Sequence, residues 1–255
     1  MSGSVSSTRA IAITYRVLIR QLVSRGRLVA LSLIGGVVAL VGWAVGRAAH
    51  NEPWLTPEDV EQIRLNDAVT AVTNLGFTIL VPIVALVFAA ASLGDTREDG
   101  TLVYLWLRPM RRWAIVVGAW LAAITVSLPL TVIPMVASAY LLDAGTDLIV
   151  GTAIASVVGV IAYSALFVLL GLLVKNSIVW GLGYIVIWEG VVAAFGSAAA
   201  KVAMRGYTSS IVSERTGVEI DIGTLAQTTA IMVPIIVAGF ALWLAAARLN
   251  NLEVA

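Results

Sequence analysis

Glu189 lies in Trp188-Glu189-Gly190, in the middle of an otherwise apolar stretch. An ionised carboxylate at the centre of a bilayer costs at least about 2.5 kcal/mol, so such a residue must face protein, water or a proton. Two readings are open. One is a functional polar site, such as the proton-linked carboxylate of a secondary transporter. The other is a structural Glu, protonated or bonded to a hydroxyl such as Ser197 or Thr228. Other reactive groups are few. His50 is the only histidine and has no companions for a metal triad, so it reads as a solvated loop residue. There are no cysteines, which removes disulfides, thiolate ligands and cysteine nucleophiles. The only lysines, Lys175 and Lys201, do not follow a glycine, so no phosphate-binding loop can form and the chain cannot power itself with ATP. Gly-x-Ser-x-Gly, His-Glu-x-x-His and Gly-x-Gly-Asp are also missing, which argues against hydrolysis. No catalytic residue, metal site or resident cofactor is expected.

The elements around Glu189 are set by composition. The chain has 255 residues, of which 60% are hydrophobic and 12% charged, and its mean hydropathy is +0.96. Such a chain has the bilayer as its solvent. A span needs roughly 20 apolar residues to cross about 30 Å of hydrocarbon, and runs of that length place spans at 28–48, 69–93, 114–142, 148–174, 178–199 and 225–247. The expected fold is all-α: a six-helix transmembrane domain over 28–247, preceded by residues 1–27 and followed by a tail, 248–255. Within 1–27, Arg9, Arg16 and Arg20 share one helical face while Ile11, Tyr15, Leu18 and Leu22 share the other, the pattern of an amphipathic helix lying at the headgroups. No removable signal peptide is read there.

Six spans put both termini on one side. With them fall Arg9, Arg16, Arg20, Arg25, Arg27, Arg97, Arg108, Arg111, Arg112, Lys175 and Arg248, against Arg47, Arg64, Lys201, Arg205 and Arg215 opposite. The positive-inside rule makes the first side cytoplasmic, and the expected location is the plasma or inner membrane. A net charge of +1 provides no surface for nucleic acid. On the outer side, Thr56, Pro57, Glu58 and Asp59 carry the signals of a capped helix start, and a short external helix is expected there. Lys175-Asn176-Ser177 is all that joins the fourth and fifth spans, making them antiparallel neighbours.

The most informative loop joins spans two and three. From Asp95 to Arg112 it is polar, then amphipathic, then basic. Gly100 permits a turn, Leu102, Leu105 and Trp106 can form an apolar ridge, and Pro109 stops a helix before Arg111 and Arg112. At this point the chain resembles the ABC-2-type permeases, the membrane subunits of a large class of ATP-binding cassette exporters. Their pattern is an acid two residues before Gly-Thr-Leu, an apolar stretch, then Pro-x-x-Arg beginning nine residues after the Gly. Glu98, Gly100, Thr101, Leu102, Pro109 and Arg112 match at that spacing. Many members carry a second Glu where Thr96 stands and a Lys where Ala119 stands.

The resemblance covers essentially the whole chain and implies a specific division of labour. Glu98, Gly100, Thr101, Leu102, Leu105, Pro109 and Arg112 would dock into an ATPase subunit that binds ATP and Mg. A second permease copy or a paralogue would complete the path, and the cargo would be hydrophobic or amphipathic, with membrane lipid around it. Glu189 would then be a polar site at the path or the subunit interface, in a re-entrant fifth helix. A proton-coupled secondary transporter using Glu189 is the alternative. A lipid enzyme built on Asp95 and Asp99 is a third reading, weakened by the Gly-Thr-Leu context.

Overall fold

The computed structural model describes residues 6–47, 56–100, 111–191, 202–220 and 225–251. Every regular element among them is a helix: α1 (Ser7–Leu22), α2 (Arg25–Gly46), α3 (Pro57–Ala71), α4 (Val81–Glu98), α5 (Arg112–Leu141), α6 (Thr146–Leu173), α7 (Ser177–Gly183), α8 (Met204–Thr216) and α9 (Gln227–Asn250). Two wider π-helical stretches occur: Val72–Leu80 joins α3 to α4, and Tyr184–Val191 continues α7. Five helices are long and apolar enough to cross a membrane, namely α2, the continuous Pro57–Glu98 helix, α5, α6 and α9. They fit a multi-pass membrane protein.

Two expected elements take a different form. The short external helix is not separate from the second span. Thr56 and Asp59 cap it reciprocally, but no residue between Pro57 and Gly76 is a Gly or Pro that would break it. A single helix of 42 residues results, roughly 63 Å long at 1.5 Å per residue. Its charged first turns therefore extend beyond a hydrocarbon layer of about 30 Å. The span expected at 178–199 is described only to Val191. Ser177–Val191 reaches roughly 22 Å, too short to cross by itself, and 192–199 lie outside the described residues.

The π stretch Val72–Leu80 follows from the proline after it. Pro82 lacks an N–H and its ring crowds the carbonyl four residues back, that of Thr78. The helix widens upstream, so that the Val81 N–H bonds to the Gly76 carbonyl. Two hydroxyls take up carbonyls in this region: Thr78 donates to the Thr73 oxygen at 3.2 Å and Thr73 to the Val69 oxygen at 2.8 Å. Such side-chain repair makes a helix irregularity tolerable in lipid.

Packing is dense where small residues meet. A Cβ on Gly35 would lie 2.9 Å from the Pro134 ring, and one on Gly42 would overlap the Ser138 hydroxyl. The Ser138 hydroxyl also donates across the seam to the Val38 carbonyl at 3.3 Å. Small residues let α2 and α5 run parallel in contact, the usual basis of helix association in lipid. The Pro57–Glu98 helix and α6 form the centre, with 72% and 61% of their most apolar windows buried against 22% for α2 and 28% for α9. The outer helices therefore present Leu33, Val37 and Leu40, or Ile236, Phe240 and Trp243, away from the protein. α1 buries Ala10, Thr14, Leu18 and Leu22, with Thr14 against Gly118 of α5. Ala119 beside it is fully buried, a position with no room for a Lys.

Candidate functional site

At one end of the bundle the chain ties α2, α4, α6 and α7 together with polar contacts. Arg27, near the start of α2, pairs with Asp95 of α4 at 2.8 Å. Arg97 donates to the Leu172 carbonyl at 3.0 Å, one of the orphan acceptors in the last turn of α6. The Glu98 carboxylate accepts the Asn176 backbone N–H at 2.8 Å. Asn176 adopts a left-handed conformation, φ 54°, at the start of α7, which reverses the chain between α6 and α7 in the three residues Val174, Lys175 and Asn176. The ring of Phe167 meets that of Tyr184 edge-on at 6.1 Å, so α6 and α7 are antiparallel neighbours, as Lys175-Asn176-Ser177 implied.

Close backbone contact supports the same junction. A Cβ on Gly171 of α6 would lie 2.7 Å from the Ala90 carbonyl, and one on Gly94 would lie 2.9 Å from the Ser177 hydroxyl. Of the expected docking residues, Glu98 ends α4, Gly100 turns the chain with φ 68°, and Arg112 opens α5. Thr101, Leu102, Leu105 and Pro109 lie outside the described residues. The sequence did not point to Asn176 as the partner of Glu98. A left-handed Asn in a three-residue turn was the available signal.

Glu189 is fully buried, and among the described residues its partners do not include the Thr228 hydroxyl. Ser197 lies outside the described residues. One carboxylate oxygen accepts the Tyr184 hydroxyl at 2.8 Å and the Met204 N–H at 3.1 Å, and the other accepts the Arg205 N–H at 2.9 Å. Arg205 returns a bond from its guanidinium to the Glu189 carbonyl at 3.3 Å. Met204 and Arg205 are the first residues of α8, whose own N-cap, Ala203, has no side-chain acceptor. Glu189 therefore caps α8 from fifteen residues upstream, placing its carboxyl oxygens on the unsatisfied N–H groups at the positive end of the helix.

The π register creates this site. Five residues along an α-helix lie about 140° round, which would turn Tyr184 away from Glu189. In the wider helix, with bonds running i to i+5, the two side chains meet. From this point α8 runs along α6, with Gly159 against Thr208 and Gly151 against Val212. α8 was expected as loop. Beside Met204, Ile211 and Val212 its buried residues are Gly206, Thr208, Ser209, Ser210 and Ser213, small residues that hydropathy does not register. Two of the hydroxyls are spent locally: Ser210 donates to the Gly206 carbonyl and accepts the Leu225 N–H, and Ser213 donates to the Val218 carbonyl.

Among the described residues no group of three or more His, Asp or Glu is close enough to hold a metal. His50 lies outside them. The chain matches no protein-family model, and no curated protein matches its sequence. The class that the fold and site define is an all-helical, multi-pass bundle, clamped at one end through Glu98 and pinned internally through Glu189.

Proposed function

We propose that the chain is the membrane-spanning subunit of an ABC-2-type exporter, with both termini in the cytoplasm and a separate ATPase bound at residues 98–112. The reading is carried by the spacing from Glu98 through Gly100 to Pro109 and Arg112. That spacing occurs at the tip of the central helix, where Glu98 is bonded to the α6–α7 turn. A push delivered to this loop reaches three helices at once, which is what a part that transmits ATPase closure needs. In this reading Ser177–Val191 and Met204–Thr216 act in series as a sixth crossing, joined at Glu189. A second permease copy or paralogue completes the path, and the apolar walls suit an amphipathic cargo.

The proton-linked alternative loses support from the geometry of Glu189. Both its oxygens already accept hydrogen bonds from a tyrosine and a helix N-terminus, the role of an anchor rather than of a shuttle.

The test is co-expression with a separate ATP-binding cassette ATPase, followed by reconstitution. The expected result is a stable complex whose ATP hydrolysis depends on this chain and falls when Glu98 and Arg112 are both replaced by Ala. Proton-driven transport by this chain alone in vesicles, with no ATPase bound, would overturn the reading.

A further inference from the structure

α1 and the start of α2 carry a basic surface that the fold leaves without a partner. Arg9, Arg16 and Arg20 fall within about 40° of one another around α1, and about 160° from the centre of its buried stripe, Ala10, Thr14, Leu18 and Leu22. All three are exposed, as is Arg25 at the first position of α2. Among the described residues none of these four is in an ion pair, whereas the neighbouring Arg27 is matched by Asp95. No Asp or Glu precedes Glu52 in the chain, so this segment supplies no counter-charge of its own. The apolar side of α1, which by sequence could have entered the membrane, is spent on the protein. Leu18 and Leu22 are fully buried, Thr14 meets Gly118 of α5, and Ile11 and Tyr15 pack on the core. The Tyr15 hydroxyl also donates to that of Thr125 at 3.4 Å.

The length of α2 sets the depth of this surface. Its 22 residues reach about 33 Å, barely more than a hydrocarbon layer of about 30 Å, so Arg25 lies at one face of the bilayer. Only Val23 and Ser24 separate α1 from α2, which holds Arg20 near the same level. Val17 and Val23, each 48% exposed, and Val29, 59% exposed, are interleaved with the arginines, a composition suited to the boundary between headgroups and acyl chains. What α1 offers the membrane is therefore chiefly charge. Guanidinium groups bond phosphate oxygens in pairs, and basic residues beside a span are attracted to a leaflet only where its lipids carry net negative charge. We infer that Arg9, Arg16, Arg20 and Arg25 dock on the headgroups of anionic phospholipids, so that the protein selects acidic over zwitterionic lipid at this end of the bundle. An acidic protein surface would match the charge but not the depth of Arg25 or the exposed valines. The inference does not require the pairing with an ATPase.

The experiment titrates the purified full chain in detergent with dioleoyl-phosphatidylglycerol, which is anionic, or dioleoyl-phosphatidylcholine, which is zwitterionic, and reads binding by native mass spectrometry. The glycerol lipid is expected to bind roughly fivefold tighter, the effect of about one arginine facing one anionic headgroup. That preference should shrink as ionic strength is raised, because exposed charges are screened. Replacing Arg9, Arg16 and Arg20 together by Gln should bring the two lipids to equal affinity at unchanged melting temperature, and replacing them together by Lys should keep most of the preference. Arg47→Gln, at the opposite end of α2, should leave it as in wild type. Equal affinities in the wild type, a preference insensitive to ionic strength, or one that survives the triple Gln replacement overturns the inference. Loss of a bound ATPase in the triple Gln variant, with its lipid preference intact, would assign the surface to that protein and overturn it equally.

Discussion

The Glu98 carboxylate and the Asn176 backbone N–H are 2.8 Å apart although 78 residues separate them. That one bond fastens the end of the central helix to the turn between α6 and α7. Glu98 is exposed, so the bond contributes about 1 kcal/mol or less to stability. Its value is in position. Glu98→Ala is expected to leave the melting temperature within a few degrees of wild type while raising hydrogen exchange at Asn176. Glu98→Gln, which keeps an acceptor, should preserve the protection. If the Ala variant exchanges at the wild-type rate, the clamp does not operate in solution.

Removing the Glu189 side chain should have a much larger effect. Glu189→Ala leaves the Met204 and Arg205 N–H groups and the Tyr184 hydroxyl buried without their acceptor, at a cost of about 3 kcal/mol or more. Tyr184→Phe removes one donor and should cost about 1 kcal/mol. Thermal unfolding in detergent ranks the two, and equal midpoints for them would disprove the capping role.

The α2–α5 seam provides a packing test with an internal control. A side chain at Gly42 must displace Ser138, whereas an added Cβ at Gly36 meets nothing within 4 Å. Gly42→Val is expected to destabilise by about 1–3 kcal/mol, the usual cost of overpacking, and Gly36→Ala to be neutral. Detergent melts of both variants measure the contrast.

The start of α3 should respond to acid. The Asp59 carboxylate accepts from the Thr56 hydroxyl at 2.6 Å and the Thr56 N–H at 2.9 Å, and the hydroxyl bond is the main reason its pKa is held below the ordinary 3.8. A carboxyl depressed on folding supports the fold fully above its ordinary pKa and loses that support as pH falls through the lower folded value. Protection factors of amides in the first turn of α3, taken relative to the intrinsic exchange rate at each pH, should therefore fall below about pH 4. Thr56→Val, which keeps the backbone N–H, should raise the Asp59 titration, followed by carboxyl NMR shifts, toward the ordinary value. An unchanged titration in that variant would remove Thr56 as the cause.

The parts of this fold legible in sequence are those fixed by transfer energy. Leu33, Val37 and Leu40 on α2 announce a span because every residue contributes to hydropathy whatever it touches. Five of the six expected spans correspond to long apolar helices for that reason. The reversal at Lys175-Asn176-Ser177 was legible because so short a link permits one geometry. What stayed hidden depends on register and partner. Tyr184 meets Glu189 only in a π helix, and no pattern in Tyr184–Val191 marks that widening. Ser209 and Ser210 read as loop because their burial depends on tucking against α6. Arg205 was counted only as an outer-side charge, although an arginine sixteen residues from an intramembrane acid was a signal for local pairing.

The wide turn at Val72–Leu80 also sets the phase between the two ends of the central helix. A π insertion adds one residue to a turn, and one residue in an α-helix corresponds to about 100° of rotation. Deleting a single residue within 72–80 would return the helix to regular winding and, because the extra residue is absorbed within one widened turn, leave both the capped start of α3 and Glu98 facing as they do now. Winding the same residues tightly without a deletion would instead turn the two ends against each other, so the widening that begins ten residues before Pro82 holds their phase.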